Sequence, residues 1–401
     1  MGRIWFEEQE LAGYTGTAVV QLYSGGLDSM YTALGMAQRG YDVHALYVDV
    51  GQERPENLEE ACAALGVQLI IVDGKTTLCD EYLSKGIQSN ALYNDVFPIS
   101  SSYTRPLIAA QAVAYAESIG AELIVHSATP YQNSTSRFNL SILALAKEMH
   151  VYCPAVGQYV SREEKIAQLR RAGIPLDAEK RLYSIDENLW ARVIENGTLE
   201  QPWIDLPAKG VFTWTTDPEH CGEEPITVTL SFEKGLPVQL DGSSMSLAEM
   251  IASLNTSLGR YGVGRYSGLE DGAFGLKNPE VREAPAAEMI HKSHLLLEEM
   301  ILSSEELRIK KMLDREWTRL VVAGGWYSPL KRALDAAIAA LNQDITGQIR
   351  WRVTNGQIMP IARESVHALY SAASDSFPGE LFPYSLGTFY QQLARKQRVH
   401  L

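Results

Sequence analysis

The sequence predicts an α/β protein: an N-terminal parallel sheet covered by helices, followed by a second, mixed α+β domain and a C-terminal helix. Three observations carry this reading. Residues 18 to 156 alternate apolar runs ("AVVQLYS", "HALYVDV", "VQLIIVDG", "AELIVHS", "VYCPAV") with longer helical patterns, which is how a sheet buried on both faces reads. From about residue 170 the texture changes to helices with Gly-rich and Pro-containing connections, with strand-like "ITVTLSF" and "LPVQLDG" near 226 to 242. The last residues, "SLGTFYQQLARKQRVHL", read as a polar terminal helix, an element that at a chain end often docks on another subunit. The expected divisions are therefore 1–170, 171–370 and 371–401.

The first apolar run ends in "LYSGGLDSM", residues 22 to 30. Gly25 and Gly26 let the backbone turn sharply and leave no Cβ in the way of a ligand. Ser24, Asp28 and Ser29 then sit around the first turn of the next helix, where free N–H groups and the positive end of the dipole favour an anion such as phosphate. An ordinary strand-to-helix turn with a Ser or Asp cap would look similar locally. The stretch lacks the Gly-Lys-Ser/Thr ending of a Walker A loop and holds no lysine. A phosphate here would be held by backbone and hydroxyls.

Ligands of parallel sheets sit beyond the carboxyl ends of the strands, and the polar residues cluster there. Asp49-Val50-Gly51-Gln52 follow the second run. "SNALYNDVFPISSSYTRP" (89 to 106) gathers Tyr93, Ser100, Ser101, Ser102 and Arg105 before a clear helix. "HSATPYQNSTSRFN" (126 to 139) clusters Thr129, Gln132, Asn133, Ser134 and Arg137 at a strand end, a common place for ligand contacts. "YSIDENLW" (183 to 190) reads as a capping box, Ser184 three residues before Glu187. "RYGVGRYSGLEDGAFGLK" (260 to 277) reads as a Gly-rich turn series whose acidic pair, Glu270 and Asp271, would ordinarily be solvated.

Across 401 residues there is room for two domains with real cores. Lys plus Arg number 35 against 49 Asp plus Glu, a net charge of -14 that argues against a nucleic-acid surface and suits small polar ligands. The four cysteines, Cys62, Cys79, Cys153 and Cys221, lie far apart with no CxxC spacing, so neither a disulfide framework nor a zinc site is expected. A reducing cytoplasm is the simple inference. The N-terminus "MGRIWFEEQELAGYTGT" is acidic where a signal peptide is basic and then apolar, and no uncharged apolar run reaches membrane-spanning length.

In order along the chain, "YSGGLDS" (23 to 29), "ALYVDVGQ" (45 to 52), "IQSNALY" (87 to 93), "SYTRPLIA" (102 to 109), "NSTSRF" (133 to 138), "YSIDENLW", "LNTSLGRYGVGR" (254 to 265), "GGWYSP" (324 to 329) and "ARES" (362 to 365) resemble the argininosuccinate synthase family from about residue 17 onward. The first motif alone marks only a broad class that includes tRNA-modifying and amidotransferase enzymes. The later ones are far more specific.

The resemblance implies an adenine nucleotide alpha hydrolase-like N-terminal domain, a synthetase domain, and a tetramer with the terminal helix reaching onto neighbours. It also implies an ATP-pyrophosphatase-type ligase. ATP, helped by Mg²⁺, places its pyrophosphate on the first loop, the ureido oxygen of citrulline attacks the α-phosphorus, and the amine of aspartate then displaces AMP. No side-chain nucleophile is required. Carried over by position, Tyr23, Ser24, Gly25, Gly26, Leu27, Asp28 and Ser29 would hold ATP, with Val48 on the adenine side. Tyr93, Ser101 or Ser102, Arg137, Ser184 and Glu270 resemble citrulline contacts, and Thr129 and Asn133 resemble aspartate contacts.

Departures from the pattern fall on the amino-acid pockets. The family loop "HGxTGKGNDQVRFE" reads "HSATPYQNSTSRFN" here: three glycines become Ser127, Pro130 and Gln132, the lysine becomes Tyr131, and the aspartate after Asn133 becomes Ser134. Losing a carboxylate that faces an ammonium removes a charge-assisted hydrogen bond of about 1.5 to 3 kcal/mol. An expected serine is Val193, an expected tyrosine is Arg282, and Glu-Asn-Arg becomes Glu270-Asp271-Gly272. These changes lead to the expectation of a paralogue with altered partners, in which Arg282 supplies a new anion contact. True argininosuccinate synthesis is the alternative, as is a nucleotide-binding protein without catalysis. tRNA thiolation would need a reactive cysteine near the ATP loop and a basic surface.

Overall fold

The computed structural model describes residues 2–130, 132–176, 183–201, 203, 210–221, 224–272 and 275–369, with 387, 390 and 394 beyond them. The expected terminal arm, 371–401, and Tyr131 therefore lie outside the described residues, apart from those three.

Six parallel strands form the first sheet, in the order Ile4–Trp5, His150–Tyr152, Leu123–Val125, Ala18–Leu22, Asp42–Asp49, Gln68–Asp73. Starting from Ala18–Leu22 the chain steps outward to Gln68–Asp73, then returns and builds the other side. The reversal falls between Ala18–Leu22 and Leu123–Val125, which pair directly through Val20↔Ile124 and Gln21↔Val125. A crevice opens at the carboxyl ends of strands at such a reversal. The loops at Ser24 and His126 flank it.

Alternation along the strands explains why both faces are apolar. Val20, Leu22, Leu46 and Val48 pack with Leu107, Ala112 and Ala116 of helix Ser101–Ile119. Val19, Val43, Ala45 and Tyr47 pack with Met30 and Ala33 of helix Leu27–Gln38 and with Leu58 and Leu65 of helix Leu58–Leu65. The edge strand Ile4–Trp5, pairing with Val151 and Tyr152, was not legible in the sequence. Two residues carry no periodicity.

The later half holds two antiparallel sheets. One runs in the order Arg265–Asp271, Lys277–Glu283, Arg192–Glu195, Ser184–Glu187; the other in the order Ser243–Ser244, Leu236–Leu240, Ile226–Glu233, Gly347–Thr354, Gln357–Glu364. Helices Leu247–Gly259, Pro285–Ile301, Ser304–Val322 and Pro329–Leu341 pack among them. Two readings of the sequence are corrected. Ser184–Glu187 is a strand rather than a helix start, because Asn188 closes a hairpin by accepting from the N–H of Trp190 at 2.9 Å and the paired register with Arg192–Glu195 overrides the local capping pattern. Residues 265–271 are likewise a strand, paired from Arg265↔Glu283 to Asp271↔Lys277.

One apolar cluster runs from Val20 and Leu46 through Trp190 to Trp317 and Trp351, so the two halves share a core. A buried polar cluster crosses the same boundary. Lys310 Nζ lies 2.9 Å from Glu298 and 2.6 Å from Asp314, and donates to the Gln88 carbonyl at 2.7 Å. Asn90 Nδ2 donates to Glu298 at 2.8 Å and Asp314 at 3.0 Å.

Candidate active site

The loop after Ala18–Leu22 is braced by its own hydroxyls. Ser29 Oγ donates to the Gly26 carbonyl at 2.9 Å and lies 3.2 Å from Ser24 Oγ, while Gln21 Nε2 holds the Ser29 carbonyl at 2.6 Å. Gly25 has φ +71°, and a Cβ there would stand 2.9 Å from Pro55 Cγ. The sequence thus needs glycine at that position. Helix Leu27–Gln38 starts immediately afterwards, presenting the unpaired N–H groups of its first turn. Leu27 and Asp28 lie half-buried in that turn, and Val48 is buried on the neighbouring strand. Tyr23 points to the opposite face of the sheet, in the cluster with Met30 and Cys62, where burial pushes its hydroxyl strongly upward.

Asp28 does not stand alone, because Lys165 Nζ donates to its Oδ1 at 2.7 Å. Sequence reading missed this lysine, 137 residues away on helix Arg162–Arg171.

The hairpin at 184–195 is pinned over the crevice from the second strand. Leu189 N–H donates to the Val50 carbonyl at 2.8 Å, and Glu53 N–H donates to Glu187 at 2.9 Å. Gly51 makes this approach possible: its φ is +91° and a Cβ would meet the Leu189 nitrogen at 3.0 Å.

Beyond the Ser24–Ser29 loop, five of the residues singled out in the sequence converge. Arg137 Nη1 donates to Ser101 Oγ at 2.7 Å, Nη2 approaches Glu270 at 3.3 Å, and Nε donates to the Val322 carbonyl at 2.8 Å. Asp271 N–H donates to Tyr93 Oη at 2.9 Å, and Asn133 Nδ2 donates to the Asp271 carbonyl at 2.9 Å. Burial, seconded by its bond to Asp271, pushes the Tyr93 hydroxyl up to about 12, so it stays protonated and donates to the carboxylate.

Ser134 joins through Arg105, whose Nε donates to Ser134 Oγ at 3.1 Å while Nη2 donates to Asp186 at 2.6 Å. Ser102 is buried one position along the helix from Ser101, Ser184 is exposed at the strand start, and Thr129 contributes its carbonyl to Thr135 Oγ1 at 2.6 Å. His126 fixes this loop: Nε2 bonds Asn139 at 2.9 Å, and the Ala128 N–H approaches Nδ1 at 3.3 Å. Burial lowers its imidazole to about 4, so it is neutral.

Val193 and Arg282, two of the altered positions, are direct cross-strand partners. Arg282 Nη2 and Nε donate to Glu280 Oε1 at 2.6 and 3.0 Å, Nη1 donates to the Pro98 carbonyl at 2.8 Å, and the guanidinium carbon lies 4.3 Å from the Phe97 ring centre. Its donors are engaged by the protein. The strand register places Glu195, Glu270 and Glu280 on one face, with carboxylate oxygens within 4.8 Å of one another. Burial, against the pull of Arg282 and with repulsion from Glu270, raises Glu280 to about 7; burial also raises Glu195. Glu195 and Glu280 were invisible in the sequence because only pairing of distant strands brings them together.

The sequence matches the family description "Arginosuccinate synthase N-terminal HUP domain" over residues 18–175 and "Arginosuccinate synthase C-terminal domain" over residues 183–385. It is 37% identical over 375 residues to the argininosuccinate synthase of Pyrobaculum aerophilum, covering 92% of this chain and 92% of that protein. The enzyme of the same name from Pyrococcus furiosus is 37% identical over 380 residues, covering 94% of this chain and 90% of that one. For Rubrobacter xylanophilus the figures are 37% over 359 residues, with 89% and 88% covered. The chain belongs to the argininosuccinate synthase family of ATP-dependent ligases.

Proposed function

We propose that the protein forms a C–N bond with release of AMP and pyrophosphate, adenylating a citrulline-like ureido or carboxylate acceptor for attack by an amine, and that its partners differ from citrulline and aspartate. The observation that carries this is one crevice flanked by two kinds of site. On one side stands the Ser24–Ser29 turn at a helix N-terminus; on the other stands Arg137 with Ser101, Glu270, Tyr93 and Asn133 around it. Ser24, Gly25, Gly26 and Ser29 receive the phosphates, and the strand that carries Val48 lines the adenine side. The rest is positioning: an acceptor oxygen aimed at the α-phosphorus and an amine aimed at the adenylated carbon gain rate chiefly from held geometry. Anion donors at the leaving pyrophosphate add electrostatic stabilisation.

Asp28 offers the hard carboxylate oxygens that Mg²⁺ takes. When bound, the ion neutralises charge on the leaving pyrophosphate.

The second side of the crevice supports the reading of altered partners. Ser134 is neutral and engaged by Arg105, so an incoming ammonium finds no carboxylate there. Arg282 and Glu280 form a buried pair next to Val193, changing the shape and charge of the acceptor wall. The reading with citrulline and aspartate is favoured by the names of the relatives. All four cysteines are buried, and burial pushes Cys79 and Cys153 up to about 12, which disfavours tRNA thiolation.

By resemblance we also propose a cytoplasmic homotetramer with residues 371–401 as its arm, residues 1–170 holding the nucleotide and 171–370 the synthetase part. No helix among the described residues is long and apolar enough to cross a membrane.

Pyrophosphate release from ATP, measured across amino acids and amines with citrulline plus aspartate as reference, tests the proposal. Release with another pair and silence with the reference supports altered partners. Strong release with the reference pair returns the chain to argininosuccinate synthesis. ATP binding without release from any mixture would leave a nucleotide-binding protein.

A further inference from the structure

The phosphate loop carries no cation of its own, since residues 23–29 contain neither lysine nor arginine and the whole chain has a net charge of -14. A nucleotide polyanion needs a counter-charge from elsewhere. Among the described residues, three cations near the crevice are already paired: Arg137 with Ser101 and Glu270, Arg105 with Asp186, Lys75 with Asp49 and Asp73.

Lys165 is placed differently. Its helix, Arg162–Arg171, is started by Ser161, whose side chain accepts from Glu164 N–H at 3.2 Å. Leu169 anchors that helix in the same apolar cluster as Met30 and Ala33 of the phosphate-loop helix. This seating leaves Lys165, one turn in, reaching across to the first turn of helix Leu27–Gln38, with Nζ 2.7 Å from Asp28 Oδ1. The lysine side chain is 15% exposed but its partner carboxylate is 48% exposed. A pair with one half-exposed member in high dielectric is held loosely. Asp28 belongs to the first turn of helix Leu27–Gln38, whose N–H groups suit an anion, so the ammonium stands at the same helix start.

We propose that Lys165 is the cation of the phosphate loop, exchanging Asp28 for the pyrophosphate end of the nucleotide when it binds. This rests on the nucleotide reading of residues 23–29. The lysine missing from the loop sequence is supplied by a helix far along the chain. No covalent bond is made or broken in the exchange. Asp28 is released at the same moment, its carboxylate free beside the bound phosphates.

Calorimetric titration of the full chain with inorganic pyrophosphate, and separately with AMP, tests this in the unaltered protein, Lys165→Ala and Lys165→Arg. Lys165→Ala should weaken pyrophosphate about tenfold and leave AMP within about twofold, while Lys165→Arg retains most of the pyrophosphate affinity. Unchanged pyrophosphate affinity in Lys165→Ala overturns the proposal alone. Loss of pyrophosphate and AMP together, with a lowered melting temperature, also overturns it, since Lys165 is then a prop between two helices. If the unaltered protein binds neither pyrophosphate nor ATP, the nucleotide reading falls, and this inference with it.

Discussion

Arg137 lies 3.3 Å from Glu270 while its other terminal nitrogen holds the Ser101 hydroxyl at 2.7 Å, and the guanidinium is only 2% exposed. Such a fork fixes three elements at once: helix Asn133–Leu145, helix Ser101–Ile119 and strand Arg265–Asp271. Lysine keeps the charge but cannot span two partners. Arg137→Lys should therefore lower the rate of pyrophosphate release by about a hundredfold, the order expected when a positioned group is lost, with ATP affinity nearly unchanged. Steady-state release and equilibrium ATP titration separate the two.

The Glu280–Arg282 pair predicts a stability asymmetry. Arg282→Met leaves a buried carboxylate without its cation and should cost about 3 to 5 kcal/mol, whereas the double variant Glu280→Met with Arg282→Met should return to within about 1 kcal/mol. Urea unfolding of the single and double variants at pH 8 gives both values. A harmless Arg282→Met would show that Glu280 does not depend on this cation.

Gly51→Ala should strain the φ +91° backbone and press on Leu189. The expected cost is about 1 to 3 kcal/mol, felt locally: the amide of Leu189, bonded to the Val50 carbonyl at 2.8 Å, should exchange faster with deuterium than in the parent protein.

Two buried imidazoles give the fold an acid limit. Burial lowers His126 to about 4 and His291 to about 3, so both stay neutral in the fold while the unfolded chain takes up protons below pH 6.5. Their stabilising contribution is complete above that pH and declines as pH falls, by about 2 kcal/mol for each at pH 5. Glu280, raised to about 7, acts in the opposite direction over the same window, because its carboxyl is more readily ionised in the unfolded chain. The measure is therefore a difference: His126→Gln should shrink the drop in unfolding free energy between pH 7 and pH 5 by about 2 kcal/mol relative to the parent.

The Gly25–Gly26 turn and the sheet beneath it were legible in the sequence because their signals are local. Val19 to Leu22 read as a buried strand, and Gly25 with Gly26 read as a turn, from neighbouring residues alone. Arg137 and Ser101 stood out as polar residues clustered near strand ends, Glu270 was reached only through resemblance, and nothing in the spacing of 36 and 133 residues says that they meet. Ser184 misled for the opposite reason: its capping pattern is real, but pairing with Glu195 competes and wins. Glu280 and Lys165 had no local signal at all. Strand register reveals the first, and the seating of Leu169 beneath the sheet reveals the second.

The Lys310, Glu298, Asp314 and Asn90 cluster has a bearing on how the gene for such a chain can be rearranged. Lys310 is fully enclosed, and its ammonium is shared by two acids from the later half and a carbonyl from the earlier half. Cutting near residue 180 would strip Gln88 and Asn90 from those charges and open apolar surface on both sides of the cut. Separately expressed pieces should accordingly be insoluble alone and recover only when mixed, so the earlier and later halves should be exchanged or engineered as a single unit.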